Sequence, residues 1–207
     1  MNIVIIDYGM GNTHSIENAL TFLGQKSIVS NDLKLINEAD AYILPGVGAF
    51  SEAMKNLHQL NLIASLHHNI IIKKKPVLGI CLGMQILAKS STEIKLSQGL
   101  GWIDADVIAI SNAEVRVPHV GWNSIEVIEA NPLFNNIPSD THFYFDHSFH
   151  FSTYEDVSSS ITLYGKNITA SIQKENIFAT QFHPEKSQVA GLKLLRNFLN
   201  YSQGSLC

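Results

Sequence analysis

The chain has 207 residues, of which 45% are hydrophobic, and this is enough to build one large domain with a sizeable core, which we expect over residues 1–207. A formal net charge of -4, with 14 lysines and arginines that are scattered apart from Lys73–Lys75, provides no basic field for attracting nucleic acid. The two cysteines, Cys81 and Cys207, are too few for a disulfide framework, so we expect a reducing, cytoplasmic environment and assign no role to the Cys207 thiol.

The first half of the chain alternates strand and helix patterns. Residues 2–7, NIVIID, form a short apolar run typical of a strand buried on both faces, and the amino terminus lacks the basic start of a signal peptide. Apolar residues then recur at helical spacing from Ile16 to Leu23, and Gly24 is placed to end that helix. Further strands are predicted at 26–30, 41–45 and 76–80, with a long helix from Ala49 to about His68. This order requires crossover connections and favours a parallel sheet with helices on both faces.

The second half reads differently. Short β-like segments separated by Asn, Pro and Gly predict an antiparallel or mixed extension of the same sheet. A final helix from about Gln188 to Tyr201 closes the pattern, and no apolar run reaches the roughly 20 residues of a membrane span. The predicted segments are 106–110, 123–128, 141–151, 160–165, 167–173 and 177–182.

The segment GICLGMQIL, residues 79–87, places Cys81 between Gly79 and Gly83 at the junction of a predicted strand and helix. The spacing is that of a nucleophile elbow, in which a sharp strained turn exposes the reactive side chain and glycines make room for the close approach of strand and helix. A helix N-terminus beside the sulfur would favour the thiolate. The alternative is a small buried thiol with no chemical role.

A base for such a thiolate is available in QFHPEKS, residues 181–187. His183 and Glu185 are two residues apart, so in an extended segment, which Pro184 favours, they project to the same side. His183 would then move the proton and Glu185 would fix its tautomer. The alternative is a surface loop that happens to contain both residues.

A third motif, LPGVGAF at residues 44–50, is a glycine-rich turn between a predicted strand and a predicted helix. The carboxyl ends of parallel strands share one edge of the sheet, so this turn is expected beside the elbow, where its amides would complete an oxyanion hole. An ordinary tight turn explains the same residues.

Together the three motifs resemble the class I (triad) glutamine amidotransferases over essentially the whole chain. The resemblance implies a flavodoxin-like α/β fold that hydrolyses L-glutamine without a metal or other cofactor and passes ammonia to a second active site. It makes Cys81 the nucleophile, His183 the general base and acid, and Glu185 its orienting partner. The further implied roles are oxyanion amides from Leu82 and the Val47–Gly48 peptide, and glutamine contacts from Gly46 and Gln85.

A narrower resemblance is carried by DYGMGN (7–12), VPHVGWN (117–123), HSFHF (147–151) and FHPEKSQ (182–188). These segments are similar to the glutaminase subunits of imidazole glycerol phosphate synthases, which act in histidine biosynthesis as heterodimers with a (β/α)₈ cyclase subunit. The resemblance places His147 and Ser148 at the glutamine pocket. It places four residues at the partner interface: Asn12, Pro118, Trp122 and Lys186.

One departure from the family pattern lies beside the pocket. Asp146 stands where an apolar residue is usual, and Phe149 and His150 replace the commoner pair of tyrosines. The added carboxylate would either alter coupling to the partner or face solvent. This departure leaves the glutaminase activity expected and opens one alternative among close relatives, a paralogue that supplies ammonia for amination of a surface-saccharide sugar. Two further alternatives stay open independently of Asp146: a stand-alone γ-glutamyl cysteine hydrolase and a non-catalytic binding subunit.

Overall fold

The computed structural model describes residues 1–111 and 113–205. Cys207, the second cysteine, lies outside the described residues. Strands of this part of the chain are β1 (Ile3–Ile6), β2 (Ser27–Ser30), β3 (Ala41–Leu44), β4 (Val77–Ile80), β5 (Ser90–Ser91), β6 (Ser97–Gln98), β7 (Ala105–Ala109), β8 (His119–Ser124), β9 (Glu126–Val127), β10 (His142–His147), β11 (Phe149–Thr153), β12 (Ser158–Tyr164), β13 (Lys166–Lys174) and β14 (Ile177–Thr180). The α-helices are α1 (Thr13–Phe22), α2 (Leu33–Glu38), α3 (Phe50–Gln59), α4 (Leu62–His67), α5 (Leu82–Gln85) and α6 (Gln188–Gly204).

The main sheet has the strand order β2-β1-β3-β4-β14-β13-β12-β9. Pairing is parallel from β2 through β14 and antiparallel from β14 to β9. The parallel half has the order of a flavodoxin-like doubly wound sheet, which confirms the predicted fold class. Ligands bind such sheets outside the carboxyl ends of the strands, and β3, β4 and β14 are adjacent there.

Helices cover both faces of the sheet, because successive side chains of β1 point to opposite faces and the apolar side chains on each face need a covering layer. Ile3 and Ile5 pack on the side of α1 and α6, whereas Val4 and Ile6 pack on the side of α3 and α4. Every residue of β1 is buried, as the continuous apolar run predicts. None of the described helices is long and apolar enough to cross a membrane.

The single long helix predicted from Ala49 to His68 is wrong. Helix α3 ends at Gln59, and Asn61 adopts a left-handed conformation with φ of 56° before α4 begins. Asparagine tolerates that conformation better than most residues, so the chain can turn there while the apolar spacing continues. A further helix, α2, was not predicted, although the Asp32 side chain caps its first turn by accepting the backbone N–H groups of Lys34 and Leu35.

The second half only partly extends the main sheet. Strands β12, β13 and β14 do so, but β8 and β10 pair with each other as a separate two-stranded ribbon, and β11 joins β7, β5 and β6 in a further sheet. The segment predicted as one strand over 141–151 therefore divides at Ser148, and its two parts belong to different sheets. This break delivers residues 147–149 to the carboxyl edge of the main sheet, close to Cys81.

Helix α6 packs directly on the segment that precedes it. A Cβ at Gly191 would lie 1.8 Å from the Pro184 carbonyl oxygen, so only glycine fits at this contact. Ser187 ties the same region together, because its hydroxyl donates to the His183 carbonyl at 2.6 Å and accepts the Tyr144 amide at 3.0 Å. The start of α6, the segment around His183 and β10 are thus held as one unit.

Candidate active site

Cys81 occupies the strained turn that the G-x-C-x-G spacing predicts. It joins β4 to α5 with φ of 53° and ψ of -108°, a conformation that a non-glycine residue adopts only at a cost. A Cβ at Gly83 would lie 1.8 Å from the Leu44 carbonyl oxygen, and one at Gly79 would lie 2.8 Å from the Gly83 carbonyl oxygen. Both glycines are therefore needed for the approach of turn, helix and neighbouring strand. The predicted helix after the turn is a single turn, Leu82–Gln85.

His183 and Glu185 form a buried ion pair, with Nδ1 of the imidazole 2.8 Å from Oε1 of the carboxylate. Their side chains are only 2% and 3% exposed. The predicted extended segment is wrong beyond His183, because Pro184–Lys186 forms a 3₁₀ turn. That turn still brings the carboxylate back to the imidazole, and proline suits its first position because its missing N–H would have no partner there.

Charge on both sides of the imidazole controls its protonation. Burial alone disfavours the imidazolium, but the Cys81 sulfur and the Glu185 carboxylate together outweigh it and raise the pKa of His183 to about 10. No well-directed hydrogen bond joins Nε2 to the sulfur, and Nε2 is buried without a hydrogen-bond partner. The free Nε2 is thus available to a group that enters between the two side chains.

Two hydrogen-bonded glutamine side chains lead to the sulfur, and Gln181 is the one that contacts it. Gln181 Nε2 donates to Cys81 Sγ at 3.6 Å, and Gln181 Oε1 accepts from Gln85 Nε2 at 3.1 Å. Gln85 Nε2 also donates to the Phe149 carbonyl at 3.0 Å. Sγ has a second neighbour, the Asp146 carbonyl oxygen, at 3.8 Å.

The glycine-rich turn lies beside the elbow, as the sequence predicts. Gly46 is buried, and a Cβ there would lie 2.7 Å from both the Leu82 Cβ and the Tyr8 hydroxyl. Val47 and Gly48 are exposed and line the cavity at Cys81, and Gly48 has φ of 105°, which suits glycine. The Tyr8 hydroxyl donates to the Pro45 carbonyl, and burial, followed by the nearby Cys81, raises the pKa of Tyr8 above its usual range. Tyr8 is therefore a fixed donor that holds the turn.

A cavity of about 330 Å³ opens at Cys81. Its lining contains two carboxylates and no lysine or arginine. Glu93 is one of the two, and it also accepts the Phe50 amide at the start of α3 at 2.6 Å. The lining residues are Val47, Gly48, Cys81, Leu82, Gln85, Glu93, Pro118, Asp146, His147, Ser148 and Phe149.

His147, at the wall of this cavity, belongs to a chain of hydrogen bonds that also includes His119. The group at each end of the chain, the Phe149 carbonyl and the Asn123 side-chain amide, determines the tautomers of the two rings. Nδ1 of His147 lies 2.8 Å from the Phe149 carbonyl and must donate, so its Nε2 accepts from Nδ1 of His119 at 3.0 Å. His119 Nε2 then accepts from the Asn123 side-chain amide at 3.3 Å. Burial lowers the pKa of His119 to about 4 and that of His147 to about 3, so both rings are neutral near pH 7.

Strand alternation separates the two faces of the ribbon formed by β8 and β10. His119 and His147 form a cross-strand pair on the inner face, whereas Trp122 and Tyr144 form one on the outer face. The Trp122 side chain is 47% exposed, and its ring lies 6.2 Å from that of Tyr144 in an edge arrangement. Lys186 Nζ lies 5.4 Å from the centre of the Tyr144 ring. These three residues, with exposed Val120 and Asp146, form the outer face of the ribbon.

Asn12 lies at the start of α1, where its side chain accepts the Ser15 amide. The loop that leads to it touches the glycine-rich turn, since a Cβ at Gly11 would lie 3.1 Å from the Pro45 Cβ and one at Gly48 would lie 2.7 Å from the Met10 Cε. Pro118 is exposed at the edge of the cavity. Among the predicted interface residues, Trp122 and Lys186 thus share one surface, while Asn12 and Pro118 flank the cavity region.

Sequence reasoning missed several residues of the site. Glu93 follows a two-residue strand without a recognisable pattern, so no local signal marks it. Gln181 had a signal, because it precedes His183 by two residues on the same segment. His119 and Asn123 belong to a segment that the sequence places at the partner, yet His119 bonds to His147, which lines the cavity, and Asn123 bonds to His119.

Within residues 1–111 and 113–205, no cluster of three or more His, Cys, Asp or Glu side chains is placed to hold a metal ion.

Comparison with known proteins agrees with the geometry. Residues 4–201 match the family model described as glutamine amidotransferase class-I. The chain is 50% identical over 203 residues to imidazole glycerol phosphate synthase subunit HisH 2 of Vibrio vulnificus, covering 97% of this chain and 95% of that protein. It is 43% identical over 197 residues to subunit HisH 1 of Campylobacter jejuni, covering 95% of this chain and 98% of that protein.

A solved structure shows the same fold at lower sequence identity. The structure of PurLQS from Thermotoga maritima matches with a TM-score of 0.73 and 19% identity, covering 97% of this chain and 98% of that one. The TM-score, and not the sequence identity, shows that the fold is shared.

Proposed function

The chain belongs to the class-I glutamine amidotransferases, and on this premise we propose that it is the glutaminase subunit of an imidazole glycerol phosphate synthase in histidine biosynthesis. It is an enzyme that hydrolyses glutamine to glutamate and ammonia. The observation that carries the proposal is the buried His183–Glu185 pair next to Cys81, and Cys81 itself lines a cavity of about 330 Å³.

The proposed reaction begins with the Cys81 thiolate. Its sulfur attacks the carboxamide carbon of glutamine, a C–S bond forms, and the carbonyl oxygen becomes an oxyanion. The His183 imidazolium gives its proton to the amide nitrogen, the C–N bond breaks, and ammonia leaves a γ-glutamyl thioester. The raised pKa of His183 supports this assignment, because it keeps the proton donor charged at neutral pH.

The second half of the reaction returns the enzyme to its starting state. Neutral His183 takes a proton from water, the resulting hydroxide attacks the thioester, and the C–S bond breaks to release glutamate. Glu185 stays ionised throughout and stabilises the imidazolium through Nδ1. The hydrogen bond of 2.8 Å between the two side chains supports this role.

The oxyanion is assigned to amides on two sides of the cavity. Leu82 begins α5, and the first amides of a helix have no partner within the helix, so its N–H is free to face the intermediate. The Val47–Gly48 peptide is the second proposed donor. Its location on an exposed, glycine-containing turn at the cavity supports the assignment.

The proposed glutamine pocket combines shape with a negative charge. Gly46 lets the glycine-rich turn pack against Leu82 and Tyr8, and this supports its proposed place next to the substrate. The Oε1 atom of Gln85 is the proposed contact to glutamine, since both N–H groups of that side chain are used. His147 contributes a wall and holds residues 148–149 rather than donating to substrate, because both ring nitrogens are already bonded. Ser148 lines the same wall. Glu93 is the proposed counter-ion for the α-ammonium group of glutamine.

The ammonia acceptor is assigned to a (β/α)₈ cyclase subunit that forms a heterodimer with this chain. The outer face of the ribbon, which exposes Trp122 and carries Lys186, supports the proposal that the cyclase subunit docks there. Trp122 and Lys186 are its proposed contacts, and Asn12 and Pro118 are proposed to lie at the border of the interface. A single backbone hydrogen bond connects that face to the proposed catalytic histidine, because the Tyr144 carbonyl accepts the His183 amide at 2.9 Å. We place the complex in the cytoplasm.

A Cys81→Ala variant tests the proposed function. In complex with the cyclase subunit, it should lose glutamine-dependent turnover and keep turnover that is fed by ammonium, because only the glutaminase half needs the thiolate. Loss of both activities in a folded complex would contradict the assignment. Full glutaminase rates without any partner would instead indicate a stand-alone hydrolase.

A further inference from the structure

Gln181 is buried completely, yet its amide is directed at the nucleophile rather than at the backbone of its own strand. The sheet register explains the placement. Ile80 and Thr180 are paired on adjacent parallel strands β4 and β14, so the next residues, Cys81 and Gln181, emerge side by side at the carboxyl edge. His183 follows two residues later and returns to the same sulfur from further along the segment.

The orientation of the Gln181 amide is fixed by Gln85. Gln85 Nε2 has two hydrogens, and it directs one to the Phe149 carbonyl and the other to Gln181 Oε1. Gln181 Oε1 is therefore the acceptor, and Nε2 is the atom that faces Sγ at 3.6 Å. The opposite orientation of the amide would set two acceptors, or two donors, against each other at both ends.

The two neighbours of the sulfur favour different protonation states. The Asp146 carbonyl oxygen, 3.8 Å away, can only accept, so it pairs with the neutral thiol. The Gln181 N–H can only donate, so it pairs best with the thiolate. A buried amide N–H beside an anion is stabilising because no water competes for either group.

We propose that Gln181 is a catalytic residue whose side-chain N–H stabilises the Cys81 thiolate, and that Gln85 is the positioning residue that holds this N–H in the donating orientation. The proposal rests on the proposed role of Cys81 as nucleophile. It adds a donor that contacts the sulfur itself, in addition to the amides proposed for the oxyanion, and this donor acts on the thiolate both before the attack and when the thioester breaks.

The test measures thiolate formation directly. In a Cys207→Ser background, so that Cys81 is the one remaining cysteine, the rate of alkylation by iodoacetamide is recorded from pH 5 to pH 10. Gln181→Met removes the donor at similar volume, and Gln181→Glu replaces it with an isosteric carboxylate. Thr180→Val is the matched control, since it deletes a buried hydrogen bond of the same segment, from Oγ1 to the Phe182 carbonyl at 2.9 Å, without touching sulfur.

We expect the midpoint of the alkylation profile to rise by about one pH unit in Gln181→Met, which is a tenfold loss of thiolate on the acid side, and to rise further in Gln181→Glu. Thr180→Val should keep the parent midpoint. Gln85→Leu should raise the midpoint by less than Gln181→Met, because the freed amide samples both orientations, and this variant keeps the test available if a Gln181 variant does not fold.

An unchanged midpoint in folded Gln181→Met and Gln181→Glu overturns the proposal, even if their glutaminase activity falls. An equal rise in Thr180→Val also overturns it, because the effect would then be structural. Since alkylation needs no glutamine turnover, a shifted midpoint in a chain that proves inactive as a glutaminase would keep the stabilisation of the thiolate by Gln181 and overturn the proposed function together with the catalytic role of Gln181.

Discussion

The imidazole of His119 donates from Nδ1 to Nε2 of His147, 3.0 Å away, and both rings are buried and neutral. The pair connects β8 to β10 behind the cavity, while the opposite face of the same two strands carries Trp122 and Tyr144. The ribbon thus presents one surface to solvent, and the other surface packs behind the wall of the cavity at Cys81.

This pair predicts a loss of stability in acid. The folded pKa values, about 4 for His119 and about 3 for His147, lie below the unfolded value of 6.5, so below that pH the unfolded chain binds more protons than the folded one. The free energy of unfolding should therefore fall as pH drops from about 6.5 towards 4, by at most about 1.4 kcal/mol per pH unit for each histidine. Urea unfolding at several pH values measures this slope.

A His119→Gln variant tests the origin of the slope, because glutamine does not titrate. Its unfolding free energy should fall less steeply with acid than that of the parent. Exposed His142→Gln is the control and should keep the parent slope. Buried His150, whose pKa is also lowered by burial, contributes equally in every variant. Identical slopes in His119→Gln and the parent would contradict the prediction.

Glu185→Gln should abolish most of the glutaminase activity while preserving the fold. The amide would donate to Nδ1 and leave the proton on Nε2, the wrong tautomer for a base, so we expect kcat to fall by about 10³- to 10⁴-fold. The pKa of His183 should fall as well, because one of the two groups that raise it loses its charge. The measurement is glutamine turnover with the cyclase partner between pH 6 and pH 10.

The control for this variant is Glu126→Gln, which neutralises an exposed carboxylate on β9. It should leave kcat at the parent value. A Glu185→Gln enzyme with turnover close to that of the control would remove Glu185 from the mechanism.

Glu93→Gln removes the charge of this side chain but keeps its ability to accept a hydrogen bond from the start of α3, so it distinguishes the two contributions. Glutamine can still accept the Phe50 amide, so stability should stay within about 0.5 kcal/mol of the parent. The lost charge-assisted contact to the α-ammonium group should raise KM for glutamine by about tenfold or more. Glu93→Ala, which loses both functions, should also lower stability, by about 1 kcal/mol. An unchanged KM in both variants would exclude Glu93 from substrate binding.

Gly83→Ala should destabilise the chain through a direct clash. The added Cβ would lie 1.8 Å from the Leu44 carbonyl oxygen, so the elbow and β3 must move apart, at a cost of about 2–4 kcal/mol. Gly204→Ala is the matched control, because a Cβ there meets nothing within 4 Å. Chemical unfolding of both variants gives the comparison, and equal stabilities would show that the elbow relaxes freely.

Trp122→Ala should weaken the complex with the cyclase subunit. A half-exposed tryptophan that edges against Tyr144 is a candidate anchor, and truncating such an anchor typically costs about 2 kcal/mol or more, which is roughly a 30-fold rise in Kd. Phe22→Ala is the control, because Phe22 is 75% exposed at the other end of α1 from Asn12. Calorimetric titration would place Trp122 outside the interface if both variants bound equally.

The central strands of the parallel half were predictable because β1, β3, β4 and β14 are buried on both faces and appear in the sequence as short apolar runs. Its helices were predicted less well, since α2 was missed and the break between α3 and α4 depends on one left-handed residue, Asn61. The second half was not predictable, because strand partners there are set by long-range contacts. Strand β10, for example, pairs with β8, whereas β11, which follows it directly, pairs with β7. No local sequence pattern in the segment 141–151 predicts that the chain passes from one sheet to another at Ser148.

The same reasoning applies to the site. Cys81, His183 and the turn at 45–48 lie immediately after strands, and strand order alone brings their ends together. Glu93 reaches the cavity from a short sheet 12 residues after the nucleophile, and only the tertiary structure shows it. The buried pairing of His119 with His147 depends on the register of two strands that sequence did not pair.

Because Gly191 packs closely on Pro184, helix α6 supports the position of His183 although it contributes no side chain to the cavity. Ser187, the residue directly before α6, bonds to the His183 carbonyl and to the Tyr144 amide. The position of α6 therefore determines the position of the His183 imidazole relative to the sheet. A chain shortened within α6 would keep every residue of the cavity and still lose the alignment of its proton carrier. Mutations that loosen this helix are thus expected to resemble active-site mutations in their kinetics.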